Sequence, residues 1–176
     1  APDSIGAYEL LGRFCQSEKR WSEAESLWTL AASRFPAAGQ ILLQLAFCRE
    51  QVGNLAGAKA AIRDLLEREP DNPEALNSLG YMLADHQQEL AEAERLIRRA
   101  VEFEPGNGAF IDSLGWVLFR LGQLGQARVQ LERAVVLTGR DPTVCEHLGD
   151  VYKELKYNDL ARQLYQQSLS RDAGNE

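Results

Sequence analysis

Apolar residues along this chain recur at helical spacing rather than in alternation, and they do so in blocks that repeat. Ile111, Leu114 and Leu118 share one helical face, and Ala127, Leu131 and Ala134 share the next. Gly122 between them supplies a left-handed or tightly bent backbone at little cost. Five Leu-small pairs set the period: Leu11-Gly12, Leu45-Ala46, Leu79-Gly80, Leu114-Gly115 and Leu148-Gly149, whose leucines are 34, 34, 35 and 34 residues apart. A second series, Ala24, Ala58, Ala93, Ala127 and Ala161, steps by 34, 35, 34 and 34. Both series carry one extra residue between Leu79 and Ala93, most simply in the turn around Asp85 to Leu90. The pattern predicts an all-α fold of five helix-turn-helix repeats, about ten helices, over residues 5–38, 39–72, 73–107, 108–141 and 142–175. One continuous domain, 1–176, is expected.

Chemistry marks the ends of the units as well as periodicity does. Pro36, Pro70 and Pro105 recur at one phase, and Asn72-Pro73 and Asp141-Pro142 each place a capping side chain before a first-turn proline. The small residues let two helix axes approach closely, while Trp28, Ile62, Ile97, Leu131 and Tyr165 fill the space beyond. Ala93→Leu or Ala127→Leu should then overpack a hairpin and cost about 1–3 kcal/mol, read from a thermal melt.

Composition narrows the function. With 45% hydrophobic and 26% charged residues the chain has the mix of a folded globular protein, and its net charge of -7 argues against nucleic acid as a partner. No apolar run approaches the roughly 18–20 residues of a membrane-spanning helix. The start, Ala1-Pro2-Asp3, has no initiator Met and no signal pattern, as in a processed chain or an excised piece, and leaves the compartment open. Cys15, Cys48 and Cys145 are widely spaced and form no C-x-x-C pair, so they are expected as small buried side chains. His86 and His147 have no His or Cys at i+4, and Cys145 and His147 point to different helix faces. None of the nucleophile-elbow, metalloprotease or phosphate-loop motifs is present. No enzyme activity, cofactor or metal is expected.

The segments LNSLGYMLAD...AEAERLIRRAVEFEP and FIDSLGWVLFRLGQLGQARVQLERAV match the pattern of Leu-Gly, an aromatic or Leu, Gly, Ala, an aromatic, Ala and Pro. On these residues the chain resembles tetratricopeptide repeat (TPR) proteins over nearly its whole length. Those two units and CEHLGDVYKELKYNDLARQLYQQSL look particularly like bacterial TPR proteins of the cell envelope, some of them lipoproteins serving as adaptors for periplasmic proteases or for surface-polymer and pilus machinery. The resemblance thus points to the envelope, with the cytoplasm as second choice. Four departures bear on local geometry: Arg49 stands at an aromatic or Leu position, Lys19 and Lys156 replace the turn glycine, and Gly139 replaces the terminal proline.

The resemblance implies a right-handed superhelical solenoid with the first helix of each pair lining the concave side. The family's inward positions fall on Glu9, Arg13 and Gln16; on Leu43, Phe47, Glu50 and Gln51; on Asn77, Tyr81 and Asp85; on Asp112, Trp116, Phe119 and Arg120; and on Glu146, Asp150, Lys153 and Glu154. Phe47, Tyr81 and Trp116 share a phase and are expected to form an aromatic ladder, with Phe119 one turn from Trp116; such rings bury much area at low entropic cost. The alternative is that they pack between helices. Around them stand Glu9, Glu50, Asp85, Asp112, Glu146, Asp150 and Glu154 against Arg13, Arg120 and Lys153, seven acids to three bases. The implied function is a scaffold or adaptor holding a basic or mixed apolar-basic peptide or helix of a partner protein. A clamp for acidic chaperone tails does not fit, because that family subgroup uses Lys, Arg and Asn there. The competing reading is a spacer or oligomerisation module. It rests on Leu160, Leu164, Tyr165 and Leu169, which would lack a following repeat: either more sequence follows them, or another subunit covers the fifth unit by self-association.

Overall fold

The computed structural model describes residues 4–172, and among them every regular element is a helix. The helices are α1 (Ile5–Ser17), α2 (Trp21–Arg34), α3 (Gly39–Gln51), α4 (Leu55–Arg68), α5 (Pro73–Asp85), α6 (Leu90–Phe103), α7 (Gly108–Arg120), α8 (Leu124–Leu137), α9 (Pro142–Glu154) and α10 (Asn158–Asp172). They pair as five hairpins. Three residues join the two helices in four of the hairpins, whereas 86–89 join α5 to α6. The extra residue therefore sits in the turn where both sequence series place it.

Each hairpin turn uses one backbone solution. Lys19, Gly53, Gln87, Gly122 and Lys156, one repeat apart, all adopt positive φ, between 52° and 81°. In the first hairpin the Lys19 N–H donates to the Gln16 carbonyl at 3.0 Å and the Arg20 N–H to the Cys15 carbonyl at 2.8 Å. The last is the same: Lys156 to Lys153 at 3.0 Å and Tyr157 to Tyr152 at 2.8 Å. These paired bonds are a Schellman ending, which satisfies carbonyls that the helix leaves open. The geometry survives where lysine replaces glycine, at the cost of crowding a Cβ against the carbonyl. Lys156→Gly is expected to raise stability by about 1 kcal/mol, seen as a higher urea midpoint at unchanged slope.

The unit ends also follow their chemistry. Asn54, Asn72, Asn107 and Asp141 accept backbone N–H bonds through their side-chain oxygens at the starts of α4, α5, α7 and α9. Where Gly139 stands in place of the terminal proline, α8 ends in a second Schellman pair: Gly139 donates to Val136 at 3.3 Å and Arg140 to Val135 at 2.8 Å. Gly139 (φ 63°) and Arg140 (φ 66°) turn the chain toward α9 there.

The helices cluster as two compact units, one up to Ser78 and one from Leu79 onward. In the first, Tyr8, Ala24, Trp28, Ala31, Ile41, Leu45 and Cys48 form the buried centre. Gly12 is indispensable to it: a Cβ there would come within 2.4 Å of the Trp28 ring. Arg49, which departs from the family pattern, donates to the Gly57 carbonyl at 3.0 Å and lies 3.5 Å from Glu25, tying α3 to α4 and α2. In the second unit the small-against-large arrangement repeats. A Cβ on Gly80 would meet Ile97 at 2.5 Å, one on Gly115 would meet Leu131 at 2.5 Å, and one on Gly149 would meet Tyr165 at 2.6 Å. Ala93 and Ala127 are fully buried, as the overpacking expectation requires. All three cysteines are buried and unbridged.

Candidate functional site

The first helices of the second unit, α7 and α9 together with the Leu79–Asp85 stretch of α5, assemble one continuous cluster of rings and charges. Asp112 and His147 form its base. The His147 Nδ1 lies 2.9 and 3.1 Å from the two Asp112 carboxylate oxygens, and both residues are buried. Trp116 stacks on the His147 ring, centroids 4.2 Å apart and planes 20° from parallel. Phe119 also stacks on the Trp116 ring, centroids 5.3 Å apart and planes 26° from parallel. The Arg120 guanidinium carbon sits 4.6 Å from the Trp116 ring centroid, a cation–π contact. Arg120 Nη2 also donates to the Asp85 carbonyl at 3.0 Å and lies 3.8 Å from the Asp85 carboxylate. Tyr81 approaches the His147 ring at 6.3 Å.

This arrangement changes two sequence-based assignments. Trp116, expected as an exposed contact, is only 7% accessible, and its indole N–H is buried without a hydrogen-bond partner. Asp112, expected among the acids facing a ligand, is spent on His147. Both are internal because the first helix of the following repeat carries a ring that fits against them. Tyr81, Phe119 and Arg120 are half-buried and Asp85 is exposed, so these four remain presented around the buried stack.

Two further carboxylates have internal partners. The Tyr165 hydroxyl donates to Asp150 at 2.7 Å and the Ser168 hydroxyl to Glu146 at 2.6 Å. Each bond ties α10 to α9 and leaves the remaining lone pairs outward. Burial and then the Asp150 hydrogen bond push the Tyr165 phenol well above its ordinary value. Tyr152, which donates to Glu132 at 2.9 Å, is pushed up to about 12, again by burial first. A phenol whose folded value is raised adds stability that is fully present below its unfolded value of about 10 and is lost as pH climbs toward 12. Helical circular dichroism followed through an alkaline titration should show stability falling above pH 10, and a Tyr152→Phe/Tyr165→Phe variant should lose less of it over that range.

In the first unit Phe47 is 44% exposed and meets Trp21 edge-on at 5.7 Å and 83°. Phe47 and Trp116 share a phase of the repeat but not an environment. Glu50 is half-buried, and the Asn77 side-chain carbonyl is buried without a partner. A small cleft of about 100 Å³ lies among Glu9, Arg13, Trp28, Gln40, Ile41 and Gln44. Among the described residues no group of His, Cys, Asp and Glu is arranged to hold a metal ion, and no helix is long and apolar enough to cross a membrane. Sequence reading missed His147 because it weighed that residue only as a metal ligand. The available signal was its distance of 35 from Asp112, one repeat plus one position.

Family models described as tetratricopeptide repeat match residues 49–108 and 142–175, more than half the chain between them. This is a tetratricopeptide repeat protein. Its TPR sequence is 31% identical over 164 residues to a TPR repeat-containing protein of Pseudomonas aeruginosa, covering 93% of this chain and 21% of that protein. The chain thus spans about a fifth of the length of that relative. Among solved structures, a thermophilic TPR protein of Thermus thermophilus superposes with a TM-score of 0.85 at 21% identity, over 95% of this chain and 91% of the other. The pilF protein of Pseudomonas aeruginosa superposes at 0.76 and 21%, over 93% and 75%. At these identities the likeness to the two structures concerns the fold. TPR domains are in general protein-interaction modules and typically non-enzymatic scaffolds, which sets the class of function.

Proposed function

We propose that this TPR chain is an adaptor that holds a peptide or helix of a partner protein against the first helices of its second unit. Tyr81, Asp85, Phe119 and Arg120 are the contact residues in this reading, and Asp112, Trp116 and His147 are the buried support beneath them. The observation that carries it is the stack of Phe119 on Trp116 on His147, anchored by Asp112. A stack fixed from below pre-orients Phe119 and Arg120, so little side-chain freedom is lost when a partner arrives. Asp85, Glu146, Asp150 and Glu154 outnumber Arg120 and Lys153, and the Arg120 charge is already drawn toward Asp85. A ligand with apolar and basic side chains suits that balance. The LGYMLAD and DSLGWV segments support an envelope-adaptor setting, checked by separating the source cells into cytoplasm and envelope and probing each for the protein.

The test is affinity capture by wild type and by a Tyr81→Ala/Phe119→Ala variant, followed by measurement of the captured partner's Kd. Both rings are partly exposed, so helical circular dichroism should persist while binding weakens at least tenfold, about 1.4 kcal/mol. A folded double variant that binds its partner as tightly as wild type would show that the face around Trp116 is not the contact surface.

A further inference from the structure

In the first hairpin the large ring packed against the small residue carries a polar atom that nothing in the chain satisfies. Gly12, Arg13 and Trp28 precede Gly149, Asp150 and Tyr165 by the same four repeats. In the last hairpin the Tyr165 ring packs against Gly149, and its hydroxyl donates to Asp150 at 2.7 Å. The first hairpin has the same packing, with the indole edge at Gly12 and Nε1 2.9 Å from where a Cβ would stand. Next to that glycine, however, is Arg13, which can only donate. The Trp28 N–H is buried with no hydrogen-bond partner, in a side chain only 1% accessible. Packing does not require that N–H, since Ile62, Ile97 and Leu131 fill the same position in the other repeats with no polar atom.

Where the last hairpin supplies an acceptor of its own, the first has a cleft. Trp28 lines the space of about 100 Å³ together with Glu9, Arg13, Gln40, Ile41 and Gln44. Neither Glu9 nor Arg13 makes an ion pair with another of the described residues. Gln44 Oε1 accepts from Gln16 at 3.1 Å, and Gln40 donates to Glu74. Clefts for drug-sized ligands hold about 300–1,000 Å³, so this one suits a single polar group of a larger partner.

We propose that the cleft is a binding site for an amide group of a partner protein. The amide oxygen takes the place that Asp150 has in the last hairpin, accepting from the Trp28 N–H and from Arg13, and the amide N–H donates to Glu9. An amide fits better than a carboxylate, because Glu9 and Arg13 together bring no net charge and a ligand anion would face Glu9 as well as Arg13. Arg13 is exposed and unpaired among the described residues, so its side chain can turn aside to admit the oxygen. Once seated, that oxygen satisfies a donor otherwise buried without an acceptor, which is where a hydrogen bond counts most. The amide comes either from an Asn or Gln side chain or from a main-chain peptide group. None of these residues belongs to the cluster around Trp116, so the inference stands apart from the partner reading above.

The indole N–H resonance of Trp28 in isotope-labelled protein, identified by elimination with Trp21→Phe and Trp116→Phe, reports on the site. Three small probes are titrated: acetamide for the side-chain amide, N-methylacetamide for the main-chain group and acetate for a carboxylate. One or both amides should move that resonance downfield in a saturable way, and the tighter binder identifies the source. Acetate should bind about fivefold more weakly. Arg13→Ala should weaken amide binding by about the same factor, with circular dichroism verifying that the variant is folded. A Trp28 resonance unmoved by both amides, acetate binding as tightly as they do, or amide binding unchanged by Arg13→Ala would each overturn the inference.

Discussion

Trp116→Ala is expected to lower the free energy of unfolding by about 3–5 kcal/mol, the cost of emptying a large aromatic site in a packed interior. The ring is 7% accessible, stacks on His147 at 4.2 Å and on Phe119 at 5.3 Å, and lies under the Arg120 guanidinium. Its loss removes contacts with residues of two first helices at once. Because the indole N–H has no partner, Trp116→Phe keeps a stackable ring and sheds an unpaired donor, and should cost much less. Urea unfolding followed by circular dichroism measures both. A Trp116→Ala loss below about 1 kcal/mol would show that the ring is surface furniture after all. The same burial makes Trp116 a poor choice for testing recognition, since a loss of binding would not be separable from a loss of fold.

Asp112→Ala is expected to destabilise by about 2–3 kcal/mol, because it leaves the buried His147 Nδ1 without its acceptor. Adding His147→Phe in that background should recover most of the loss, since the phenyl ring can keep the stack on Trp116 with no polar atom left unpaired. The two substitutions together should then be milder than their sum, with a coupling of about 1–2 kcal/mol in a double-mutant cycle. Additive losses would show that the pair is incidental to the stack. The cycle also separates support from contact, because Tyr81, Asp85, Phe119 and Arg120 are unchanged in every member.

Much of the arrangement around this pair is already written in the repeat. Position for position, the residue that follows Phe47 by 31 is Ser78, and the one that follows Trp116 by 31 is His147. A small hydroxyl in the first case and a flat ring in the second accompany an exposed Phe47 and a buried Trp116. The phase of an aromatic residue therefore says which way it faces, while its burial depends on the side chain one repeat later. Comparing those second residues would have separated the two rings. The internal partners of Glu146 and Asp150 were harder to foresee, because Ser168 and Tyr165 lie on α10 and reach across from a second helix. An acidic residue at an inward position was read as presented to a ligand, whereas a hydroxyl within reach takes one of its oxygens first.

The amino-acid sequence by itself determined the ten-helix pairing, the one extra residue in the turn at 86–89, and the packing of small residues such as Gly12, Gly115 and Gly149 against large ones such as Trp28, Leu131 and Tyr165. These are short-range matters, decided by helical spacing, capping chemistry and the room a missing Cβ leaves, and a period of thirty-four residues records them five times over. Tertiary structure alone decided that Asp112 and Trp116 are buried rather than presented, and that Phe47, at the same phase as Trp116, stays exposed. Each of those depends on whether a neighbouring helix brings a side chain to cover the position or leaves it to water, and that is a property of packed neighbours rather than of any one repeat.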